Sequence, residues 1–193
     1  MNGLEAGLRD RLVDAGVELV ASEGSGAVSL RAIARRAGVS HGAPRRYFPT
    51  HLELLSAIAR RGFADLAARL DAAAAGSADD PRARLTALGR AYLDFAAASR
   101  GMYELMFRHD LLESGRLGLR EVTLPLFRMV TALVADVAPP GGAASEVVAG
   151  ALWANLHGIA QLWGWGSLQL ATGLSDVEPL LRAALDAHLG PAR

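Results

Sequence analysis

Arg45 and Arg46 follow a short front of mostly small side chains, Ser40-His41-Gly42-Ala43, and this pairing is the strongest chemical signal in the chain. Small side chains let the start of a helix come close to base edges in a major groove, and guanidinium groups behind them reach phosphates or guanine edges. A helix N-terminus itself favours phosphate. The surrounding charge agrees: from Gly24 to Leu52 there is no acidic residue, while Arg31, Arg35, Arg36, Arg45 and Arg46 all lie there. The formal net charge is +0, so the cationic character is a local patch on a neutral protein, which suffices for a site-specific reader of double-stranded DNA. Arg35 and Arg36 read as a solvated helix face, whereas Arg45 and Arg46 read as contacts. Tyr47 suits a phosphate and Phe48 a core.

Other chemistry is poorly supplied. There is no cysteine, which removes disulfides, thiolate metal sites and thiol nucleophiles together, and favours an intracellular, cytoplasmic setting. His109, Asp110 and Glu113 lie close in sequence, but a metal site needs three or four ligands and no second cluster accompanies them. No phosphate-binding glycine loop, dinucleotide turn or nucleophile elbow occurs. The expectation is a protein that is not an enzyme, with no cofactor and no metal.

A second group of residues could bind a small molecule. Met102, Tyr103, Met106 and Phe107, with Phe95, Phe127 and Met129, form a candidate apolar lining in which methionine adapts to varied shapes. Trp153 and His157 share one helix face four residues apart, either as a pocket wall with a polar handle or as packing in which Gly158 permits close approach. Trp163 and Trp165 flank Gly164 and could line a pocket or a dimer seam. The expected ligand set is Phe95, Met102, Tyr103, Met106, Phe107, Phe127, Trp153, His157 and Trp163, with an apolar or aromatic effector.

The elements that must hold these residues are helices. Leu8, Leu12, Ala15 and Leu19 recur at helical spacing between Leu4 and Glu23, closed by Gly24 and Gly26. Ser29 is an N-cap before the apolar face Leu30, Ile33, Ala34 and Ala37, and Gly38 stops that helix. Ser40 is predicted to cap a third short helix through Tyr47 or Phe48, with Pro44 near the end of its first turn and Pro49 closing the unit. Thr50 and Glu53 make a capping box for a helix to about Ala75, striped by Leu52, Leu55, Ile58, Ala59, Phe63, Leu66 and Leu70. Gly76 to Pro81 is a linker, and further helices are predicted over 81–99, 101–108, 116–137, 144–170 and 177–189, with a kink at Pro125 and a break at Ala138 to Gly142.

Composition points the same way. Hydrophobic residues are 51% of 193 and aromatic ones 6%, with alanine and leucine dominant, which favours an all-α fold over strands and excludes a disordered chain. Glu146 to Asp176 encloses no charge, long enough to raise a membrane-spanning helix, but Asn155, His157, Gln161 and Gln169 interrupt it, so a buried bundle or dimer helix is the preferred reading. The start of the chain carries Glu5, Arg9 and Asp10 and no apolar signal segment.

The run Gly24-x-x-x-x-Ser29-Leu30-Arg31-x-Ile33-Ala34-Arg35-Arg36-Ala37-Gly38-Val39-Ser40-x-Gly42-Ala43-Pro44-x-Arg46-Tyr47-Phe48-Pro49 resembles the DNA-binding domain of the TetR family of repressors. Three positions depart from that family's pattern: Pro44 stands for an aliphatic residue, Arg45 for tyrosine and His51 for lysine. Arg45 can still touch phosphate, and histidine does so less strongly than lysine. The stretch Trp153-Ala154-Asn155-Leu156-His157-Gly158 resembles the W-x-x-x-H-G signature of a WHG-type regulatory domain. The resemblance implies a helix-turn-helix DNA-binding domain over 1–49 and a helical ligand-sensing and dimerisation domain over 50–193, in which 50–75 is a connecting helix. It implies DNA contacts by Ser29, Arg31, Ser40, His41, Gly42, Ala43, Arg45, Arg46, Tyr47 and His51. It further implies an operator duplex, a small-molecule effector that releases it, and a homodimer through the last two helices, with no membrane. The competing expectation is a soluble helical small-molecule binder without DNA function, which predicts no salt-dependent DNA binding.

Overall fold

The computed structural model describes residues 3–77, 79–113, 118–137 and 142–191. Among them are eleven α-helices: α1 Gly3–Glu23, α2 Leu30–Arg36, α3 Ala43–Tyr47, α4 His51–Ala75, α5 Pro81–Ala98, α6 Arg100–Met106, α7 His109–Glu113, α8 Leu119–Val137, α9 Ser145–Gly164, α10 Ser167–Thr172 and α11 Glu178–Leu189. A single 3-10 turn, Ser25–Ala27, follows α1, and no strand occurs among the described residues. The all-α expectation is met. The predicted helix start at Arg116, and most of the predicted break at Ala138 to Gly142, lie outside the described residues.

The contacts divide the chain into two compact units that do not follow chain order. The first takes residues 1–65 and 99–122, the second 66–98 and 123–193. The sequence division at residues 49 and 50 therefore falls inside the first unit.

In the first unit, α1 turns Leu12, Val13, Ala15, Leu19 and Val20 inward. Gly24, at φ +84°, ends the helix and donates its N–H to the Val20 carbonyl at 3.0 Å. Thr50 Oγ1 accepts the Glu53 N–H at 3.1 Å, which starts α4 as its capping motif requires. The face of α4 in this unit buries Leu54, Leu55, Ile58, Ala59 and Phe63. α6 crosses α1 so closely that a Cβ on Gly101 would lie 2.7 Å from the Val20 carbonyl oxygen. Phe63 and Phe107 meet edge to face at 5.6 Å between centroids.

In the second unit, α5, α9 and α11 pack on one another. They bury Leu85, Leu88, Tyr92, Leu93 and Phe95 of α5, Leu152, Leu156 and Ile159 of α9, and Leu181, Ala184 and Leu185 of α11. Two ion pairs fix the antiparallel register of α5 against α11. Arg90 grips Glu178 through two N–H···O bonds of 3.1 and 2.7 Å, and two turns earlier Arg82 holds Asp186 and the Gly190 carbonyl. The Arg90 guanidinium keeps the Glu178 carboxyl below its usual range, with Arg182 adding to the effect.

One element differs from its prediction. The helix expected over 144–170 is two: α9 stops at Gly164, and α10 begins at Ser167. Gly166 takes φ +78°, its N–H donates to the Trp163 carbonyl at 2.9 Å, and Gln169 Nε2 donates to the same carbonyl at 3.0 Å. The apolar periodicity runs on through the break, so only the glycine marks it.

The α1–α6 crossing predicts an asymmetry between glycines. Gly101→Ala should lower stability by about 1–3 kcal/mol, because the added methyl meets backbone that cannot yield. Gly7→Ala, with nothing within 4 Å of its Cβ, should be neutral or stabilising by up to about 1 kcal/mol. Urea unfolding of both variants against the parent chain measures the difference, and equal effects would contradict the crossing.

Candidate nucleic-acid interface

The Ser29 backbone is extended and its Oγ accepts the Ala32 N–H at 3.1 Å, so α2 begins where the capping residue places it. Its inner face is Ile33 and Ala34, both at 0% exposure. The helix closes on a two-bond turn: Val39 N–H donates to the Ala34 carbonyl at 3.0 Å and Gly38 N–H to the Arg35 carbonyl at 3.2 Å. Gly38 has φ +68°, which this closure demands and which other residues adopt at a cost of about 1–2 kcal/mol. Arg11 reaches from α1 to donate to the Ala37 carbonyl at 2.9 Å, a cation placed at a helix C-terminus.

The second helix of the pair starts later than predicted. Ser40 is not its side-chain cap: the Ser40 carbonyl accepts the Ala43 N–H at 3.0 Å, Gly42 is the N-cap, and α3 runs only from Ala43 to Tyr47. Pro44 sets this start. At the second helical position its missing N–H has no intrahelical partner to lose, whereas a start after Ser40 would have forfeited a bond to that carbonyl. Ser40, His41 and Gly42 thus form an exposed turn in front of α3. Phe48 ends the helix, donates its N–H to the Pro44 carbonyl at 2.8 Å, and is 2% exposed, in the core as expected.

The arginines separate into two kinds. Arg36 is engaged within the protein, 3.5 Å from Glu18 and 3.1 Å from Ser22 Oγ. Arg31, Arg35, Arg45 and Arg46 are exposed, and none of the four makes a hydrogen bond or ion pair with a described residue. Tyr47 is half-buried beside them. His51 is held differently from a free phosphate contact: its Nε2 donates to the Val28 carbonyl at 2.9 Å. That bond ties the start of α4 to the loop before α2. Sequence reasoning passed over Arg9 of α1, whose guanidinium carbon lies 5.1 Å from the centre of the Phe48 ring. No spacing rule links residues that far apart in the chain.

The predicted ligand residues are shared between the two units. Met102, Tyr103 and Met106 are core residues of the first unit, the two methionines packed against the Gly62 position of α4, and Phe107 is half-buried beside Tyr103. Phe95 is wholly buried in the second unit with Arg69 over its ring. Phe127 on α8 and Trp163 on α9 are half-buried, and Trp153 is 46% exposed. His157 Nδ1 shares a 2.9 Å hydrogen bond with the buried Tyr92 hydroxyl, and burial pushes the imidazole pKa down. Asp110 is held by Arg108 through bonds of 3.1 and 2.7 Å, which lowers its pKa. No helix among the described residues is long and apolar enough to cross a membrane.

The outer side of α9, α10 and α11 is an open groove of about 420 Å³, lined in part by Ala154, Gly158, Leu162, Leu168, Leu180 and Ala183. Apolar side chains are left in water here: Leu162 of the groove wall is 40% exposed, and in the segment after it Trp165 is 62% exposed and Leu170 90%.

Comparison with known proteins returns matches at both ends of the chain. Residues 12–58 match the family of bacterial regulatory proteins described as the tetR family, and residues 85–188 match a tetracyclin repressor-like C-terminal domain. The Trp153 to Gly158 signature lies inside the second match. Among solved structures, a protein of unknown function from Rhodococcus sp. RHA1 is 31% identical, with 96% of each chain covered and a TM-score of 0.73. The multidrug binding protein EbrR, solved with imidazole, is 28% identical over 96% of each chain at a TM-score of 0.60. FadR from Bacillus subtilis, solved with stearoyl-CoA, is similar in fold alone: 14% identity, 95% of this chain and 99% of that one, TM-score 0.69. No curated protein matches the chain.

The depressed His157 pKa carries a stability prediction. A folded value below the unfolded one means that the unfolded chain takes up the proton first. The stabilisation is then complete above the unfolded pKa of about 6.5 and is lost as pH falls toward the folded value. Thermal unfolding of His157→Asn should therefore lose less between pH 7.5 and pH 5.5 than the parent chain does. A parallel pH dependence in the two would contradict the half-buried neutral imidazole.

Proposed function

The chain belongs to the TetR family of bacterial regulatory proteins, and from that premise we propose that it is a homodimeric transcriptional repressor, released from its operator by a small apolar or aromatic effector. The observation that carries the reading is the set of four exposed guanidinium groups on α2 and α3, unpaired among the described residues, within the stretch that matches the family's DNA-binding domain. Holding four like charges together without counter-ions costs stability unless a polyanion supplies them.

In this reading the helix-turn-helix head, residues 1–49, sets α3 in a major groove. Ser40, His41, Gly42 and Ala43 come nearest the base edges, and Arg31, Arg45, Arg46 and Tyr47 engage phosphates or guanine edges. Ser29 acts through its cap on α2, and His51 through its bond to Val28. Residues 50–193 sense the effector, beginning with the connecting helix 50–75. The partly exposed Phe127, Trp153, His157 and Trp163 are the better ligand contacts, and the fully buried Phe95, Met106 and Tyr103 serve packing first. The multidrug-binding character of EbrR, a relative of similar length, supports an effector of this kind.

The dimer is assigned to the outer faces of α9 and α11, where the uncharged groove and the exposed Trp165 and Leu170 leave apolar surface that a second copy would cover. Repression is steric, in the cytoplasm, by occupancy of a promoter. Induction is a population shift toward a state that cannot span two half-sites, which requires an effector that prefers that state.

Fluorescence anisotropy on duplexes flanking the protein's own gene, at several salt concentrations, tests the reading. The parent chain should bind with an affinity that falls as salt rises. Arg45→Ala/Arg46→Ala should lower the salt slope by about one unit for each phosphate no longer neutralised, and Gly42→Glu should abolish binding by setting a carboxylate against the groove. Failure of the parent chain on these duplexes, and then on a random-duplex selection, would leave a small-molecule binder in the repressor's place.

A further inference from the structure

We infer that Arg9, on the helix before the DNA-reading pair, is a DNA-backbone contact, so that the phosphate-binding surface extends from α3 onto α1. The inference rests on the proposed DNA-binding function and names a residue outside the matched DNA-binding motif, which begins at residue 12. Phe48 immediately follows Arg45, Arg46 and Tyr47 as the C-terminal cap of α3. With its guanidinium carbon 5.1 Å from the centre of that ring, Arg9 brings a fifth cation to the end of the helix that carries two others.

The contact holds the guanidinium in place without using its donors. A cation over an aromatic ring is attracted to the π face, while the five N–H groups lie in the guanidinium plane and stay available to a planar or tetrahedral oxyanion. Arg9 is exposed and makes no hydrogen bond or ion pair with a described residue, and Asp10, next in sequence, is not its partner. A cation fixed by a ring, with no anion beside it among the described residues, is pre-organised for one. The segment from Gly24 to Leu52, which carries Phe48, contains no carboxylate to neutralise the group. A phosphodiester backbone supplies that charge at regular spacing.

The competing role is structural: the arginine stem covers the Phe48 ring and nothing more. Arg9→Met separates the two, because its apolar chain still covers the ring but carries no charge, and Arg9→Lys keeps the charge. The probe is a fluorescein-labelled mixed-sequence duplex of about 30 base pairs, titrated by anisotropy across a salt series. Arg9→Met should lower the slope of log affinity against log salt by about 0.9 for each bound subunit, and Arg9→Lys should retain the parent slope. An Arg9→Met variant with the parent slope overturns the inference, even if its affinity falls, because partial unfolding weakens binding without changing the number of phosphates neutralised. A parent chain that shows no salt-dependent binding to any duplex overturns the DNA reading itself, a separate outcome from the first.

Discussion

The DNA-reading head depends on one three-helix junction. Gly16 of α1 has no side chain because the tip of Ile58 from α4 occupies the place where a Cβ would stand, and the end of Ile33 from α2 closes in at 3.3 Å from that same position. Ile33 and Ile58 are both at 0% exposure. A methyl group added at Gly16 would displace the Ile58 side chain and crowd the tip of Ile33, disturbing the packing by which α1 meets α4 and α2. α3 is too short, at five residues, to hold its own position. It is fixed by what surrounds it: the Gly38 turn, the buried Phe48 ring and the helices that meet at this junction.

From that junction the polar contacts follow in order. Arg11 closes the end of α2, Arg36 bonds back to Glu18 and Ser22, and Asp14 pairs with Arg61 of α4 at 3.0 Å. Each is an exposed contact worth little alone, about 0–1 kcal/mol. Their effect is orientation: Arg11, Arg36 and Arg61 are tied to α1 or from it, and Arg31, Arg35, Arg45 and Arg46 on α2 and α3 have no partner among the described residues. The second unit uses the same chemistry for a different end, with Arg82 and Arg90 setting the register of α5 on α11.

Much of this was legible in the sequence because it is local. Ser29 as a cap, Gly38 as a stop, the Thr50 and Glu53 capping box and the stripe from Leu55 to Leu70 each depend on neighbours within about four residues, and the structure realises all of them. The misses have the opposite character. Ser40 and Pro44 both bear on where α3 starts, and a cap preference worth about 1 kcal/mol yields to the proline's geometry. The apolar pattern of α9 runs through Gly166 without a change of period. Arg9, the divided fates of Arg35 and Arg36, and the bond from His51 to Val28 are contacts across the fold, which spacing along the chain cannot reveal. Composition named Phe95, Met102 and Tyr103 as apolar, and only packing distinguishes a buried ring from one that meets a ligand.

The central claim is that two copies of this chain read DNA together, and selection of bound duplexes from a random-sequence pool by the full chain tests it most directly. The account predicts enrichment of an inverted repeat whose half-sites lie about 10 base pairs apart, or a small multiple of that, because a two-fold dimer presents two heads to one face of the duplex. Recovery of no sequence above the input pool, or of an unpaired site without symmetry, would contradict it.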